Sequence, residues 1–238
     1  MTVATVTLGC KVNQVDSEAL RARLLGAGFV DAAPEKADVV VVNSCAVTAE
    51  SERKTRQKLR QCRALNPDCI LVLTGCAAQV SANAAEEYPE ADIVLGHIDS
   101  GDLARYIDKF MSSQGKSINV SAHYIGEPFA ESAFFRESAR TRASIKIEDG
   151  CDRFCSYCII PRARGHVRSK PLAAVRQEAE TLAQQGFREV VLVGINLAAY
   201  GTDIGCDLAD AVALMDECSG IQRVRLGSLE PDLLTDKL

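Results

Sequence analysis

Three cysteines lie in the stretch Glu148-Asp149-Gly150-Cys151-Asp152-Arg153-Phe154-Cys155-Ser156-Tyr157-Cys158, at C-x3-C-x2-C spacing. An alternating apolar segment, residues 143–147, precedes them, and the turn-forming residues 161–165 follow. Three thiolates so close in sequence point to a single bound metal ion or cluster. Four thiolates would complete the coordination of a structural zinc ion or of an iron–sulfur cluster. Three ligands leave one coordination position open for chemistry. The alternative is a zinc site that has His166 as its fourth ligand.

The bulk composition is that of a globular protein. The chain has 238 residues, of which 47% are hydrophobic and 25% are charged. It contains no apolar run long enough for a membrane span and no basic-then-apolar signal segment at the N-terminus. We therefore expect a cytoplasmic protein without a membrane partner. In a reducing compartment, the ten cysteines are expected to be metal ligands or core residues rather than disulfides.

The first half of the chain alternates between strand-like and helical segments. Apolar segments predict four strands, at residues 2–8, 38–42, 70–73 and 92–95. Helical sequence lies between these strands, including a stretch that is expected to start at Ser81. This alternation predicts an open, mainly parallel α/β sheet with helices on both faces.

A second set of three cysteines follows from that sheet. Cys10, Cys45 and Cys76 come directly after three successive predicted strands. Because the carboxyl ends of parallel strands share one edge, the fold would bring these thiols together. The remaining cysteines are expected to be small buried hydrophobes, namely Cys62, Cys69, Cys206 and Cys218.

The second half resumes the strand–helix rhythm. Strands are predicted at residues 144–147, 190–193 and 224–226, each followed by polar or glycine-rich sequence that fits the active face of an α/β barrel. Three such units cannot close a barrel, so we expect the first part of a partial (β/α) barrel in a chain that looks truncated. Residues 112–142 have no sustained period and are read as a linker. The predicted domains are therefore 1–111 and 143–238.

Basic residues are concentrated in two places, although the formal net charge is −5. One group lies on the predicted second helix and comprises Arg53, Lys54, Arg56, Lys58, Arg60 and Arg63. The other surrounds the cysteine motif and comprises Arg136, Arg140, Arg142, Lys146, Arg153, Arg162, Arg164, Arg168 and Lys170. Such patches can bind phosphates on an acidic protein. A solvated helix face is the alternative for the first group.

Four segments together resemble the methylthiotransferases, a family of radical S-adenosylmethionine (SAM) enzymes. They are Leu8-Gly9-Cys10-Lys11-Val12-Asn13 through Ser17-Glu18, Val42 to Thr48, Thr74 to Gln79, and Glu148 to Gly165. The resemblance implies two [4Fe–4S] clusters. Cys151, Cys155 and Cys158 would hold the cluster whose fourth iron binds SAM, and Cys10, Cys45 and Cys76 would hold the cluster that carries the sulfur cosubstrate.

The same resemblance implies an activity. Cys10-Lys11-Val12-Asn13, Asp149-Gly150-Cys151 and the segment 158–165 are most similar to the branch that inserts sulfur and a methyl group at C2 of N6-threonylcarbamoyladenosine, next to the tRNA anticodon. Other branches act on isopentenyl-adenosine in tRNA or on a ribosomal protein aspartate. The implied partners are the tRNA anticodon stem-loop, a flavodoxin- or ferredoxin-like electron donor and a sulfur source. The alternative of another class is a non-catalytic iron–sulfur or zinc module that binds RNA.

The resemblance also implies residues that contact SAM, and it implies no catalytic side chain beyond the cluster ligands. Tyr157 would pack on the adenine, and Gly194 to Asn196 would contact the amino group. Ser228 and Glu230 would lie near the ribose. The structural alternatives are a core aromatic for Tyr157, a turn residue for Gly194 and a helix N-terminal acid for Glu230.

Overall fold

A computed structural model describes residues 1–113, 115–130 and 141–238. Part of the predicted linker, with Arg136 and Arg140, lies outside these described residues. Within the described ranges, no helix is long and apolar enough to cross a membrane.

The chain divides into two compact units. Unit 1 comprises Met1–His123 and Tyr157–Ala163, and unit 2 comprises Tyr124–Ser156 and Arg164–Leu238. The domain limits expected from the sequence stay a prediction.

The strands and helices follow in chain order. Up to residue 119 they are β1 (Thr2–Thr7), α1 (Lys11–Gly26), β2 (Val30–Asp31), β3 (Val39–Ser44), α2 (Ala49–Leu65), β4 (Ile70–Gly75), α3 (Cys76–Val80), α4 (Ala84–Glu87), β5 (Ile93–Leu95), α5 (Leu103–Ser113) and β6 (Ser117–Asn119). From residue 143 they are β7 (Ala143–Lys146), β8 (Glu148–Asp149), α6 (Ile160–Arg164), β9 (Arg168–Ser169), α7 (Leu172–Gln184), β10 (Glu189–Val193), α8 (Leu208–Glu217) and β11 (Arg223–Leu226).

Unit 1 is built on a six-stranded sheet of order β2-β1-β3-β4-β5-β6, in which every pairing is parallel. The central strand β3 is buried at every position. Val40 and Val42 belong to one apolar core and Val39 and Val41 to another, so both faces of the sheet are covered. Burying each valine contributes about 1.5–3 kcal/mol relative to exposure, which explains why a continuous valine run forms this strand.

Unit 2 contains the parallel sheet β11-β10-β7 and the antiparallel pair β8-β9. Ile145, Val190 and Leu192 pack with α7 and α8 side chains such as Leu182 and Met215. The helix α8 begins with a capping box, in which Asp207 and Asp210 satisfy each other's backbone N–H groups. The predicted fold class, an open parallel α/β sheet followed by the first strands of a partial barrel, is confirmed.

The structure differs from the sequence reading in its short elements. The helical stretch expected from Ser81 forms the four-residue helix α4. The sequence reading missed α3 and α6, and α3 begins at Cys76 because Gly75 adopts a φ of 90° and turns the chain at once from β4 into this helix. The sequence reading missed the two-residue edge strand β2. It also missed the pair β8 and β9, because two-residue strands carry no detectable period.

Candidate metal centres

Cys10, Cys45 and Cys76 lie at one edge of the unit 1 sheet. Cys45 follows β3 and Cys76 follows β4 directly, while Leu8 and Gly9 separate β1 from Cys10. The register pairs Thr7 with Asn43 and Ser44 with Gly75, so the three strands end at the same level. The order of strands reverses between β1 and β3, and open α/β sheets bind ligands at such a switch point.

The side chain of Asn13 joins two of the cysteine-bearing loops. Its Nδ2 donates to the backbone oxygens of Leu8, at 3.0 Å, and Ser44, at 2.7 Å. Its Oδ1 accepts a hydrogen bond from Cys10 Sγ at 3.4 Å. Asn13 is 1% exposed, so its amide fixes the spacing of the loops before Cys10 and Cys45.

Two polar residues at the end of β3 extend this network. Asn43 Nδ2 donates to the Asn13 backbone oxygen and to Ser17 Oγ, both at 3.0 Å. Ser44 Oγ donates to the Thr74 backbone oxygen at 2.5 Å and accepts from Ala77 N at 3.2 Å. Sequence reasoning assigned no role to these residues. The available signal was two polar side chains that end an otherwise apolar, fully buried strand.

Glycines allow the loops to approach one another closely. A Cβ at Gly9 would lie 2.7 Å from Cys45 Cβ and 3.2 Å from Cys45 Sγ. A Cβ at Gly75 would lie 2.2 Å from Asn43 Oδ1. Both glycines have positive φ, at 107° and 90°, which side-chain-bearing residues rarely adopt.

The donor set of this edge fits an iron–sulfur cluster better than a single zinc ion. Cys10 is exposed, and Cys45 and Cys76 are buried. Their sulfurs do not all lie within 4.8 Å of one another. Thiolates on one tetrahedral zinc are separated by roughly 3.8 Å, given a Zn–S bond of about 2.3 Å. Cys10, Cys45 and Cys76 could therefore hold an iron–sulfur cluster of several irons through three thiolates.

The loop that begins the C-x3-C-x2-C motif is anchored within unit 2. Cys151 N donates to the Gly165 backbone oxygen at 3.0 Å. Gly150 has a φ of 86°, and a Cβ there would lie 1.9 Å from the His166 backbone oxygen. Phe154 adopts a φ of 47°, which costs about 1 kcal/mol for a residue with a side chain. The fold tolerates this strain to hold the backbone between Cys151 and Cys155 in a tight curve.

His166, the proposed fourth zinc ligand, is engaged elsewhere. Its Nδ1 lies 2.5 Å from Asp152 Oδ1, and its ring lies 5.8 Å from that of Phe154. The geometry of His166 therefore gives no support to the zinc alternative.

Asn196 connects Cys151 to a buried carboxyl group. Asn196 Nδ2 lies 3.8 Å from Cys151 Sγ, and Asn196 N donates to Glu148 Oε2 at 2.7 Å. Burial, and secondarily the charge of Asp149, raise the pKa of Glu148 to about 8. Sequence reasoning missed Glu148, although it lies within the quoted stretch, because its partner is 48 positions away.

Three other predicted SAM contacts, Tyr157, Ser228 and Glu230, occupy exposed positions. Tyr157 is 90% exposed, so the reading of this residue as a core aromatic is wrong. Ser228 and Glu230 are exposed after β11, and Glu230 Oε2 lies 3.7 Å from Arg153 Nη1 in the cysteine loop. Arg153 also forms an ion pair with Asp232. The roles of these residues toward SAM stay predictions.

Many of the basic residues around the motif are not on the surface. Four of them are buried with acidic partners, and they are Lys146, Arg164, Arg168 and Lys170. Their partners are Asp149, Glu127 and Glu178. The expectation that these four residues belong to a phosphate-binding basic patch around the motif is wrong, because each is buried against an acidic partner, as buried charges require.

The basic residues of α2 are largely paired at the surface. Arg53 and Lys54 contact Glu50, Arg60 contacts Glu90, and Arg63 contacts Asp92. This pairing favours the alternative of a solvated helix face.

The remaining cysteines follow their predicted role with one exception. Cys62, Cys69 and Cys218 are 3–4% exposed and belong to apolar cores, where burial raises their thiol pKa values. Cys206 is only partly buried.

Comparisons with known proteins agree with the motifs. Residues 2–96 match the model of the family described as "Uncharacterized protein family UPF0004". Over 238 residues, the chain is 39% identical to threonylcarbamoyladenosine tRNA methylthiotransferase MtaB of Thermotoga maritima, covering 100% of this chain and 54% of that protein. The methylthiotransferase resemblance is confirmed. The chain spans about half the length of the curated relatives that it matches.

Two further comparisons extend this result. The chain is 35% identical to tRNA-2-methylthio-N(6)-dimethylallyladenosine synthase of Thermotoga petrophila over 237 residues, which is 98% of this chain and 53% of that protein. The structure is similar to that of the radical SAM methyltransferase TsrM of Kitasatospora setae, solved with cobalamin and a [4Fe–4S] cluster. That match has a TM-score of 0.56 and covers 91% of this chain and 50% of that chain. At 15% identity it supports the fold alone.

Proposed function

We propose that this chain carries the two cluster sites of a tRNA methylthiotransferase, which inserts sulfur and a methyl group at C2 of N6-threonylcarbamoyladenosine. The observation that carries the proposal is the 39% identity to a threonylcarbamoyladenosine tRNA methylthiotransferase along the whole chain. A relative named for dimethylallyladenosine is 35% identical, and so is a second relative named for threonylcarbamoyladenosine. The proposed substrate branch therefore rests on the 39% relative together with the motif segments, and the experiment below decides it.

Each cysteine triad has its own proposed task. Cys151, Cys155 and Cys158 would hold a [4Fe–4S] cluster that binds SAM, and Cys10, Cys45 and Cys76 would hold a second cluster. When bound, the clusters and SAM supply the electron, the radical C–H activation, the sulfur and the methyl group.

The protein contributes ligation and position rather than proton transfer. The Asn13 amide fixes the loops that carry Cys10 and Cys45, and the Asn196 amide orients Cys151. Tyr157 would stack on the SAM adenine. Ser228 and Glu230 would contact the ribose, with Glu230 held near the cysteine loop by Arg153.

The partners follow as part of the same proposal. The substrate would be the anticodon stem-loop of tRNA, and a flavodoxin- or ferredoxin-like protein would deliver the electron. A separate sulfur source would supply the inserted atom. The reaction would take place in the cytoplasm.

The decisive experiment is nucleoside analysis of tRNA from cells that lack the full-length protein. We expect the 2-methylthio group to disappear from threonylcarbamoyladenosine and to return with the wild-type gene. A Cys76→Ala variant should not restore it. Cys218→Ala is the matched control, since this cysteine is equally buried in an apolar core but belongs to neither cysteine triad.

The other outcomes of this experiment identify the alternatives. Loss of the group from isopentenyl-adenosine assigns the chain to that branch. Unchanged tRNA nucleosides, with loss of the group from a ribosomal protein aspartate in mass spectrometry of the ribosomal proteins of the same cells, assign it to the third branch. Anaerobic reconstitution tests the non-catalytic class. Two clusters require about eight irons per chain, whereas stoichiometric zinc would contradict the redox chemistry.

A further inference from the structure

Phe154 combines an exposed aromatic side chain with a strained backbone. The residue is large and apolar, yet it is 61% exposed. Among the described residues, it is the one residue other than glycine with a positive φ, at 47°. Strain of this kind persists where the surrounding structure enforces it, and it clusters at binding and active sites. The combination therefore indicates a function for the exposed ring.

The neighbours of Phe154 within unit 2 hold the ring in place. The His166 ring lies 5.8 Å from it at an interplanar angle of 59°. Tilted aromatic pairs at this distance attract each other. Asp152 fixes His166 in turn, since its Oδ1 lies 2.5 Å from His166 Nδ1 and its Oδ2 accepts from Val167 N at 3.3 Å. A ring held in this way loses little conformational entropy when a flat molecule stacks on it.

The charges around this ring restrict the kind of ligand. Arg153 forms an ion pair with Asp232 and lies 3.7 Å from Glu230, and both acids are exposed. With Asp152, three carboxylates thus share the surface of this loop with one arginine and His166. These carboxylates would repel phosphate groups or an acidic protein face, whereas they would not repel an uncharged nucleobase.

The place of Phe154 in the chain points to the substrate. Phe154 directly precedes Cys155, and consecutive Cα atoms are about 3.8 Å apart. If the proposed function holds, the target adenosine must approach the cluster that Cys155 helps to hold. Its neighbours in the anticodon loop then come within reach of the Phe154 ring. Unpaired bases of RNA loops are commonly recognised by stacking on aromatic side chains.

We propose that Phe154 stacks on a nucleobase next to the target adenosine in the anticodon loop. The inference rests on the proposed function and deepens it, because it assigns a residue that contacts the tRNA itself. The ring would hold the neighbouring base and thereby orient the target. One base stacked on an aromatic ring strengthens binding by about 5- to 150-fold.

The test uses the full-length, iron-reconstituted protein and an anticodon stem-loop RNA with 2-aminopurine beside the target adenosine, on either side in separate RNAs. The change in 2-aminopurine fluorescence on binding reports stacking. Phe154→Leu keeps an apolar side chain but removes the aromatic ring. We expect it to weaken RNA binding by about 5- to 100-fold and to abolish the fluorescence change. The affinity for SAM, measured by equilibrium dialysis, should stay within about twofold.

Three further variants complete the comparison. Phe154→Tyr retains the ring and should behave like the wild type. Tyr124→Leu removes another exposed ring of unit 2, which is 55% exposed but not adjacent to a cysteine, and should change neither RNA binding nor fluorescence. Phe154→Gly removes the ring and the backbone strain together, since glycine adopts positive φ readily. It should load as much iron as the wild type and bind RNA as weakly as Phe154→Leu.

Four results would overturn the inference. Unchanged RNA affinity and fluorescence in both variants without the ring would mean that the ring contacts no base. An equal loss of SAM affinity would place the ring on SAM, and slower reduction by a flavodoxin with unchanged RNA binding would place it on a protein partner. Reduced iron loading in both variants would mean that the ring supports the cysteine loop.

Failure of the proposed function gives a different result. In that case the wild-type protein itself would not bind the anticodon stem-loop, and the inference would fall with it. RNA binding that survives the loss of the ring overturns the inference alone.

Discussion

Replacing Asn13 by alanine should weaken the sheet edge and the cluster site of unit 1 together. The change removes the hydrogen bonds from Nδ2 to the backbone oxygens of Leu8 and Ser44, at 3.0 and 2.7 Å. Each buried carbonyl left without a donor costs about 1–3 kcal/mol, so the expected loss from the two is about 2–6 kcal/mol of unfolding free energy. The loops before Cys10 and Cys45 would also lose their common anchor.

The matched control is Asn66→Ala. Asn66 Nδ2 donates to two backbone oxygens as well, those of Pro34 at 3.1 Å and Ala37 at 2.8 Å, but Asn66 is only partly buried and follows α2. We expect this variant to lose about 1–2 kcal/mol, since water replaces part of the lost bonding.

The assay combines urea unfolding of the iron-free protein with iron and sulfide analysis after anaerobic reconstitution. Wild type and Asn66→Ala should load about eight irons per chain, and Asn13→Ala about four. If Asn13→Ala loads iron like the wild type and is no less stable than Asn66→Ala, then Asn13 does not organise the cysteine loops.

Two further predictions concern the backbone and the buried carboxyl group. Gly75→Ala should lose more than about 2 kcal/mol of unfolding free energy, because the new Cβ would lie 2.2 Å from Asn43 Oδ1. Gly28 has a similar φ of 92°, but a Cβ there would have no atom within 4 Å, so Gly28→Ala should lose only about 1 kcal/mol of unfolding free energy. Equal losses by the two variants in urea unfolding would exclude the steric cause. The pKa of Glu148 is raised from 4.5 to about 8, so the folded protein favours the protonated carboxyl group. This preference stabilises the fold fully below pH 4.5 and is lost as the pH rises through 8. Thermal melting of the iron-free protein should therefore show wild type losing up to about 4 kcal/mol relative to Glu148→Gln between pH 5 and 8, and parallel pH profiles would refute this.

Much of the fold was predictable because its signals are local. The continuous valines of β3 predict a strand buried on both faces, and the parallel sheet observed in unit 1 confirms it. The alternation of strands and helices then predicts that Cys10, Cys45 and Cys76 share an edge. Two-residue strands such as β2 escaped prediction, since they form only where a neighbouring strand offers hydrogen bonds.

The basic residues near the motif show where sequence reasoning fails. Arg164 and Lys146 look like surface cations in the sequence, but they are 0% and 2% exposed, respectively, by side chain. Both contact Asp149. Charge in a sequence does not reveal whether a partner lies within reach, and that partner decides whether burial is tolerated.

The sequence by itself predicted the fold class and the resemblance to methylthiotransferases, and it singled out six cysteines as candidate ligands, because periodicity and motif spacing are properties of neighbouring residues. The tertiary structure alone decided how the loops that carry these cysteines are held. The bond from Asn13 to Ser44 spans 31 positions, and the bond from Asn196 to Glu148 spans 48. Hydrogen bonds of this kind depend on the approach of distant segments to within about 3 Å, which no local pattern encodes.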